Sequence, residues 1–184
     1  MRLSLLSILL GAGMSVPQVY ALTKPAQFTA AARRLPRNVP VGVALMALGT
    51  LWFLWIVNQE PIADFSSFKP YMMAAFAAIG LLTCVFVQDF LAARGLAVVM
   101  LLLGKLMVDT GRPHLGASSF VQVIQIWAYV LIVVGMWFTI APWRLRDLIE
   151  FATATENRIR IGSAVRLAFA LFIVVLGLTV FRQM

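Results

Sequence analysis

Apolar runs of membrane-spanning length dominate this 184-residue chain. Six of them lie at about residues 3–22, 41–58, 70–88, 92–110, 119–141 and 162–181. A helix needs about 20 apolar residues to cross a hydrocarbon core of about 30 Å, so each run is a candidate span. The connections between the runs are short. The sequence therefore predicts a single all-α integral membrane domain over residues 1–184, a polytopic bundle of six transmembrane helices arranged as three hairpins.

Composition supports the membrane class and argues against several others. The chain is 62% apolar and 12% charged, whereas soluble domains are about half apolar and about a quarter charged. Cys84 is the only cysteine and His114 the only histidine, so we expect no disulfide, no metal and no cofactor. No complete catalytic set is visible, which favours a protein that is not an enzyme. The net charge of +8 is dispersed among loops, so we expect no nucleic-acid partner.

Positive charges are distributed unevenly between alternate connections. Connections one, three and five, with the start of span six, hold ten: Lys24, Arg33, Arg34, Arg37, Arg94, Arg144, Arg146, Arg158, Arg160 and Arg166. The opposite side holds four: Arg2, Lys69, Arg112 and Arg182. Because Lys and Arg are retained in cytoplasmic loops, we expect a bacterial-type inner-membrane protein with both termini on the non-cytoplasmic side.

The first span also has features of a secretory signal, with Val19 and Ala21 at the small-residue cleavage positions. Its removal would invert every later connection against the charge rule. The charge distribution therefore favours retention of the first span.

Two basic connections have the pattern of short helices in the membrane surface. In residues 143–153, Leu145, Leu148 and Ile149 recur at helical spacing, and Arg146 is one turn from Glu150. A weaker pattern follows span one, near residues 23–35. Each connection lies between two long spans, so a parallel internal duplication is an open alternative.

Small residues in span three predict close helix packing. The segment AAFAAIG places Ala74 and Ala78 one turn apart, with Gly80 nearby. Because small residues let neighbouring backbones approach closely in lipid, we expect span three to be central in the bundle.

The segment GKLMVDTGRPH holds most of the polar residues near a span end. Lys105, Asp109 and Arg112 form a stripe of alternating charge on one helix face. The favoured interpretation is a lysine that extends towards the headgroups beside a local ion pair. The alternative is an outer-side cluster that binds a lipid headgroup, a quinone or a transported solute. Its members would be Lys105, Asp109, Arg112, His114, Gln122 and Gln125. For the two glutamines, hydrogen bonds between helices are favoured.

Lys105 followed by Arg112–Pro113 resembles the K-x6-RP element of the phosphatidic-acid-phosphatase superfamily, in which that lysine and arginine hold the phosphate being cleaved. The resemblance covers nine of 184 residues. The PSGH and SR-x5-H segments of that superfamily have no counterpart here, and they supply two histidines where this chain has one.

Three functions are compatible with these features. The favoured one is an accessory or structural subunit, or an assembly factor, of a larger membrane complex, with membrane lipids and other membrane subunits as partners. The alternative is a small transporter or channel, or a protein that binds a lipid or quinone. A lipid-phosphate enzyme is the least supported.

Overall fold

Eight α-helices make up most of the described chain. The computed structural model describes residues 2–60 and 68–183, and no strand occurs in those two ranges. The α-helices are α1 (Leu3–Thr23), α2 (Pro25–Arg34), α3 (Val39–Gln59), α4 (Lys69–Phe86), α5 (Leu91–Gly111), α6 (Ser119–Ile140), α7 (Trp143–Ala152) and α8 (Glu156–Leu178). Short 3-10 turns cover Leu35–Arg37, Arg112–His114 and Phe181–Gln183.

Six of the helices are long and apolar enough to cross a membrane: α1, α3, α4, α5, α6 and α8. They correspond to the six predicted spans. Helix α7 confirms the short helix predicted at 143–153, and α2 is its counterpart after α1. The order of a long helix, a ten-residue helix and a second long helix thus occurs twice.

The last long helix begins six residues before the predicted start of span six. The Thr155 hydroxyl accepts a hydrogen bond from the Arg158 amide at 3.3 Å and caps the helix. Arg160 forms an ion pair with Glu156, one turn earlier, at 2.7 Å. These local contacts stabilise a polar first turn that hydropathy alone assigns to a loop.

Contacts divide the chain into two compact units. Unit 1 comprises Met1–Arg33, Gly104–Leu131 and Arg146–Met184, and unit 2 comprises Arg34–Leu103 and Ile132–Leu145. Helices α5, α6 and α7 contribute residues to both units.

In unit 1, α1 and α8 form a closely packed antiparallel pair. A Cβ atom on Gly11 would lie 2.6 Å from the carbonyl oxygen of Ala170. Near the other end of the pair, a Cβ atom on Gly177 would lie 3.0 Å from the carbonyl oxygen of Ser4. The first distance is too short for a real Cβ atom, and the second is tighter than most real Cβ contacts. The two backbones therefore approach each other to a separation that only small residues permit.

The same antiparallel register places two buried polar side chains, one from each helix, at the same height along the α1–α8 pair. Gln18 lies seven residues after Gly11, and Ser163 lies seven residues before Ala170. Gln18 is 8% exposed and Ser163 is 1% exposed. Within the described residues, the Gln18 Oε1 and Ser163 Oγ atoms have no hydrogen-bond partner. The α1–α8 interface therefore contains two buried polar atoms without hydrogen-bond partners among the described residues.

In unit 2, α3 packs closely against α5. A Cβ atom on Gly42 would lie 2.7 Å from the backbone nitrogen of Ala92, and one on Gly95 would lie 2.8 Å from that of Met46. One glycine on each helix thus permits the close approach.

Helix α4 also packs against α3 in unit 2. The rings of Phe53 and Phe76 meet edge to face with centroids 5.0 Å apart. A Cβ atom on Gly80 would collide with the Thr50 side chain. The predicted central position of this span is wrong, because Gly80 is its only buried residue. The alanines at 74, 75 and 78 are exposed.

Candidate functional site

Lys105 and Asp109 form an ion pair on the last two turns of α5. The Lys105 Nζ atom lies 2.6 Å from the Asp109 Oδ2 atom, as the four-residue spacing predicts. The two side chains are 45% and 50% exposed. Because both side chains project from one helix face, the pair is local to α5. It brings opposite charges together at the surface of unit 1.

Gln125 joins α6 to α5 and is buried. Its Nε2 atom donates a hydrogen bond to the carbonyl oxygen of Val108 at 3.2 Å, and its side chain packs where a Cβ atom on Gly111 would be. This contact is the interhelical hydrogen bond favoured from the sequence. Gln122, three residues earlier, is exposed.

Arg112 and His114 lie in the 3-10 turn that follows α5. Arg112 is exposed, and His114 is partly exposed. His114 lines a cavity of about 470 Å³ together with residues from both ends of the described chain, including Arg2 and Arg182. The six predicted site residues thus fall into three groups: the α5 ion pair, the α5–α6 glutamine contact, and the turn that carries His114.

The cavity beside His114 is lined mainly by side chains that sequence reasoning did not connect. Arg2 immediately precedes α1, and Arg182 lies in the last 3-10 turn. Phe181 and Leu3 form apolar parts of the wall and are 2% and 3% exposed. Because the three contributing segments are far apart in sequence, no local motif identifies the cavity. The sequence hints at the cavity only in that each of the three segments has a basic residue near the end of a predicted span.

A second cleft, of about 650 Å³, lies at the opposite end of the α1–α8 pair. The turn from α1 to α2 and the turn from α7 to α8 line it, with Lys24 and Glu156 as its charged residues. Beside it, Arg33 of α2 donates hydrogen bonds to Thr153, from Nε to Oγ1 at 3.0 Å and from Nη2 to the carbonyl oxygen at 2.9 Å. The two most basic connections therefore meet on one face of unit 1.

Unit 2 contains an apolar groove of about 310 Å³ between α3 and α4. Its polar side chains are those of Thr50 and Cys84, and the Cys84 thiol is partly buried. Val43 and Leu54 are among the apolar residues that complete the walls. A groove of this size and polarity can accept an aliphatic side chain or part of a lipid chain.

Comparison with protein-family models, curated proteins and solved structures finds no match to this chain. In residues 2–60 and 68–183, no three His, Cys, Asp or Glu side chains come together as a metal site would require.

Proposed function

We propose that this chain is a non-catalytic accessory or structural subunit, or an assembly factor, of a larger membrane complex, and that α4 is its docking helix. The observation that carries the proposal is the outward face of α4, which exposes Ala74, Ala75 and Ala78. Small residues are enriched where transmembrane helices pack together, because they allow the backbones to approach. The side of α4 that faces α3 already has its own small residue, Gly80.

The partner we propose for this face is a transmembrane helix of another membrane protein. The apolar groove between α3 and α4 supports that choice, because it provides a recess for a large aliphatic side chain. Tyr71 and Leu82, which are 73% and 53% exposed, flank the alanines and add apolar area to the same surface. A helix of the partner would cover the alanines, the groove and the two flanking side chains together.

A photoreactive amino acid at position 78 tests the docking face in native membranes. We expect it to form a crosslinked product heavier than the chain by the mass of one protein partner. Leu171 of α8 is the matched control position, because it is 52% exposed on a long apolar helix. Crosslinks to lipid alone at both positions would contradict the proposal.

The Ala78→Phe substitution provides an independent test by copurification in mild detergent. The larger side chain should prevent close approach of the partner and abolish its recovery, whereas Leu171→Phe should leave recovery unchanged. Equal loss in the two variants would indicate a general effect on the membrane domain and would contradict a docking role for α4.

We further propose a bacterial-type inner-membrane location with both termini on the non-cytoplasmic side. The ten-to-four distribution of basic residues supports this orientation. The contact between Arg33 and Thr153 also supports it, because it holds the two most basic connections on one face. In a Cys84→Ser background, a membrane-impermeant maleimide should label Ala117→Cys but not Arg34→Cys in intact cells. The reverse labelling pattern would contradict the orientation.

A further inference from the structure

The cavity beside His114 is cationic. Arg2, Arg182 and His114 are among the residues that line it. None of its described lining residues is acidic. In residues 2–60 and 68–183, neither arginine side chain has an ion-pair or hydrogen-bond partner. Two arginines thus line one cavity whose described lining contains no carboxylate.

The convergence of these groups follows from the α1–α8 packing. Gly177 lies against Ser4, so the end of α8 is held beside the start of α1. Phe181 is 2% exposed and fixes the 3-10 turn that carries Arg182. Leu3 is similarly buried and fixes the chain next to Arg2. Each arginine therefore extends from an anchored backbone.

The chemistry of the lining fits a phosphate group. Guanidinium groups bind the oxygens of phosphate through paired N–H donors, and the hydroxyl of Ser4 and the amide of Gln183 provide further neutral donors in the same wall. The cavity lies where two membrane-spanning helices end, which is the depth of lipid headgroups. The buried Leu3 and Phe181 provide an apolar wall for the glycerol and the first acyl carbons.

We infer that this cavity, which we call the terminal cavity, binds a phosphate group, and that Arg2 and Arg182 are its principal ligands. The phosphate of an anionic phospholipid headgroup and free inorganic phosphate share this chemistry. The inference is independent of docking through α4, because it concerns unit 1, whereas α4 belongs to unit 2.

Native mass spectrometry of the full chain in an uncharged detergent tests the inference. We expect phosphatidylglycerol to be retained in preference to phosphatidylcholine. In Arg2→Gln and in Arg182→Gln, phosphatidylglycerol affinity should fall about tenfold each, because each change removes a charged hydrogen-bond donor. The Arg182→Lys variant should lie between wild type and Arg182→Gln, because it keeps the charge and loses the paired donors.

A matched control removes the same charge from the other end of unit 1. Lys24→Gln and Arg160→Gln together should change phosphatidylglycerol affinity by less than about twofold, because neither residue lines the terminal cavity. An equal loss in this control would show that only net charge matters and would overturn the inference. Unchanged lipid preference in the Arg2→Gln, Arg182→Gln double variant would also overturn it.

Competition with inorganic phosphate separates the two sources of the phosphate group. Displacement of phosphatidylglycerol by millimolar phosphate would assign the terminal cavity to a free phosphate. Retention of the lipid in excess phosphate, with loss in the double variant, would assign the cavity to a lipid headgroup. If neither ligand binds in a way that depends on the two arginines, the inference is wrong. Melting temperatures without ligand, which should match wild type because both arginines are exposed, establish that each variant folds.

Discussion

Arg33 of α2 binds the backbone and the side chain of Thr153, directly after the last residue of α7. A cation beside the last carbonyl groups of a helix also interacts favourably with the helix dipole. The two residues are 120 positions apart. This one side chain therefore connects α2 to the turn that follows α7.

We expect Arg33→Ala to destabilise unit 1 by about 1 kcal/mol, because Thr153 is buried and loses its donor. For a chain of this size, the melting temperature in detergent should fall by roughly 2–4 °C. Arg34→Ala is the matched control, since it removes the same charge from the neighbouring position, which has no hydrogen bond to Thr153. Equal melting temperatures for the two variants would show that the contact contributes nothing beyond charge.

We expect Gly11→Ala to separate α1 from α8 and to lower stability by about 1–3 kcal/mol, because the added methyl group would overlap the backbone at Ala170. Gly13→Ala in the same helix is the control. A Cβ atom on Gly13 would meet nothing within 4 Å, and the change favours helix formation by up to about 1 kcal/mol. Urea or thermal unfolding should order the stabilities as Gly13→Ala, wild type, Gly11→Ala. If Gly11→Ala is as stable as Gly13→Ala, the close α1–α8 approach is incorrect.

We expect the joint change Gln18→Leu with Ser163→Ala to stabilise the α1–α8 pair. Both polar groups are buried without a partner among the described residues, and a buried unsatisfied group costs about 1–3 kcal/mol. The measurement is the melting temperature in detergent, with each single change as a control. A joint variant that melts below wild type would contradict this expectation and would indicate that the two side chains hydrogen-bond to each other or to water.

We expect Asp109→Asn to be more damaging than the joint change Lys105→Met with Asp109→Leu. The single change removes the carboxylate that lies 2.6 Å from the Lys105 Nζ atom and keeps the lysine charge, and removing one partner of an ion pair costs more than replacing both. Thermal melts in matched detergent measure the difference. Neutral behaviour of Asp109→Asn would show that Lys105 reaches the headgroups without needing the pair.

Hydropathy predicted the number of long helices and most of their ends, because each apolar run is bounded by charged or turn-forming residues. It placed the start of α8 too late, since the capping by Thr155 and the ion pair of Glu156 with Arg160 are local effects that an average over many residues conceals. The ion pair of Lys105 with Asp109 was predictable because it depends only on local spacing along one helix. Helical geometry alone brings residues four apart together.

The pairing of α1 with α8 and the terminal cavity were not predicted. Which helices become neighbours depends on complementary surfaces far apart in sequence, and hydropathy measures no such complementarity. A seven-residue repeat of small or polar residues is visible in both helices once the pair is known. In α1 it comprises Ser4, Gly11 and Gln18, and in α8 it comprises Ser163, Ala170 and Gly177. The alanines of α4 led to the wrong prediction that this helix is central, for a related reason. A face of small residues indicates a packing surface, but it does not indicate whether the neighbour belongs to the same chain.

The pairing of α1 with α8 makes the completion of unit 1 a late event in biosynthesis. Translation proceeds at about 5–20 residues per second, so α1 is made roughly 10–30 s before α8. During that interval Gln18, which is 8% exposed in the complete chain, and the groove at Gly11 have no α8 to cover them. A nascent chain halted before Glu156 keeps that surface uncovered. An unfinished chain therefore differs from a complete one in the exposure of Gln18 and of the surface around Gly11.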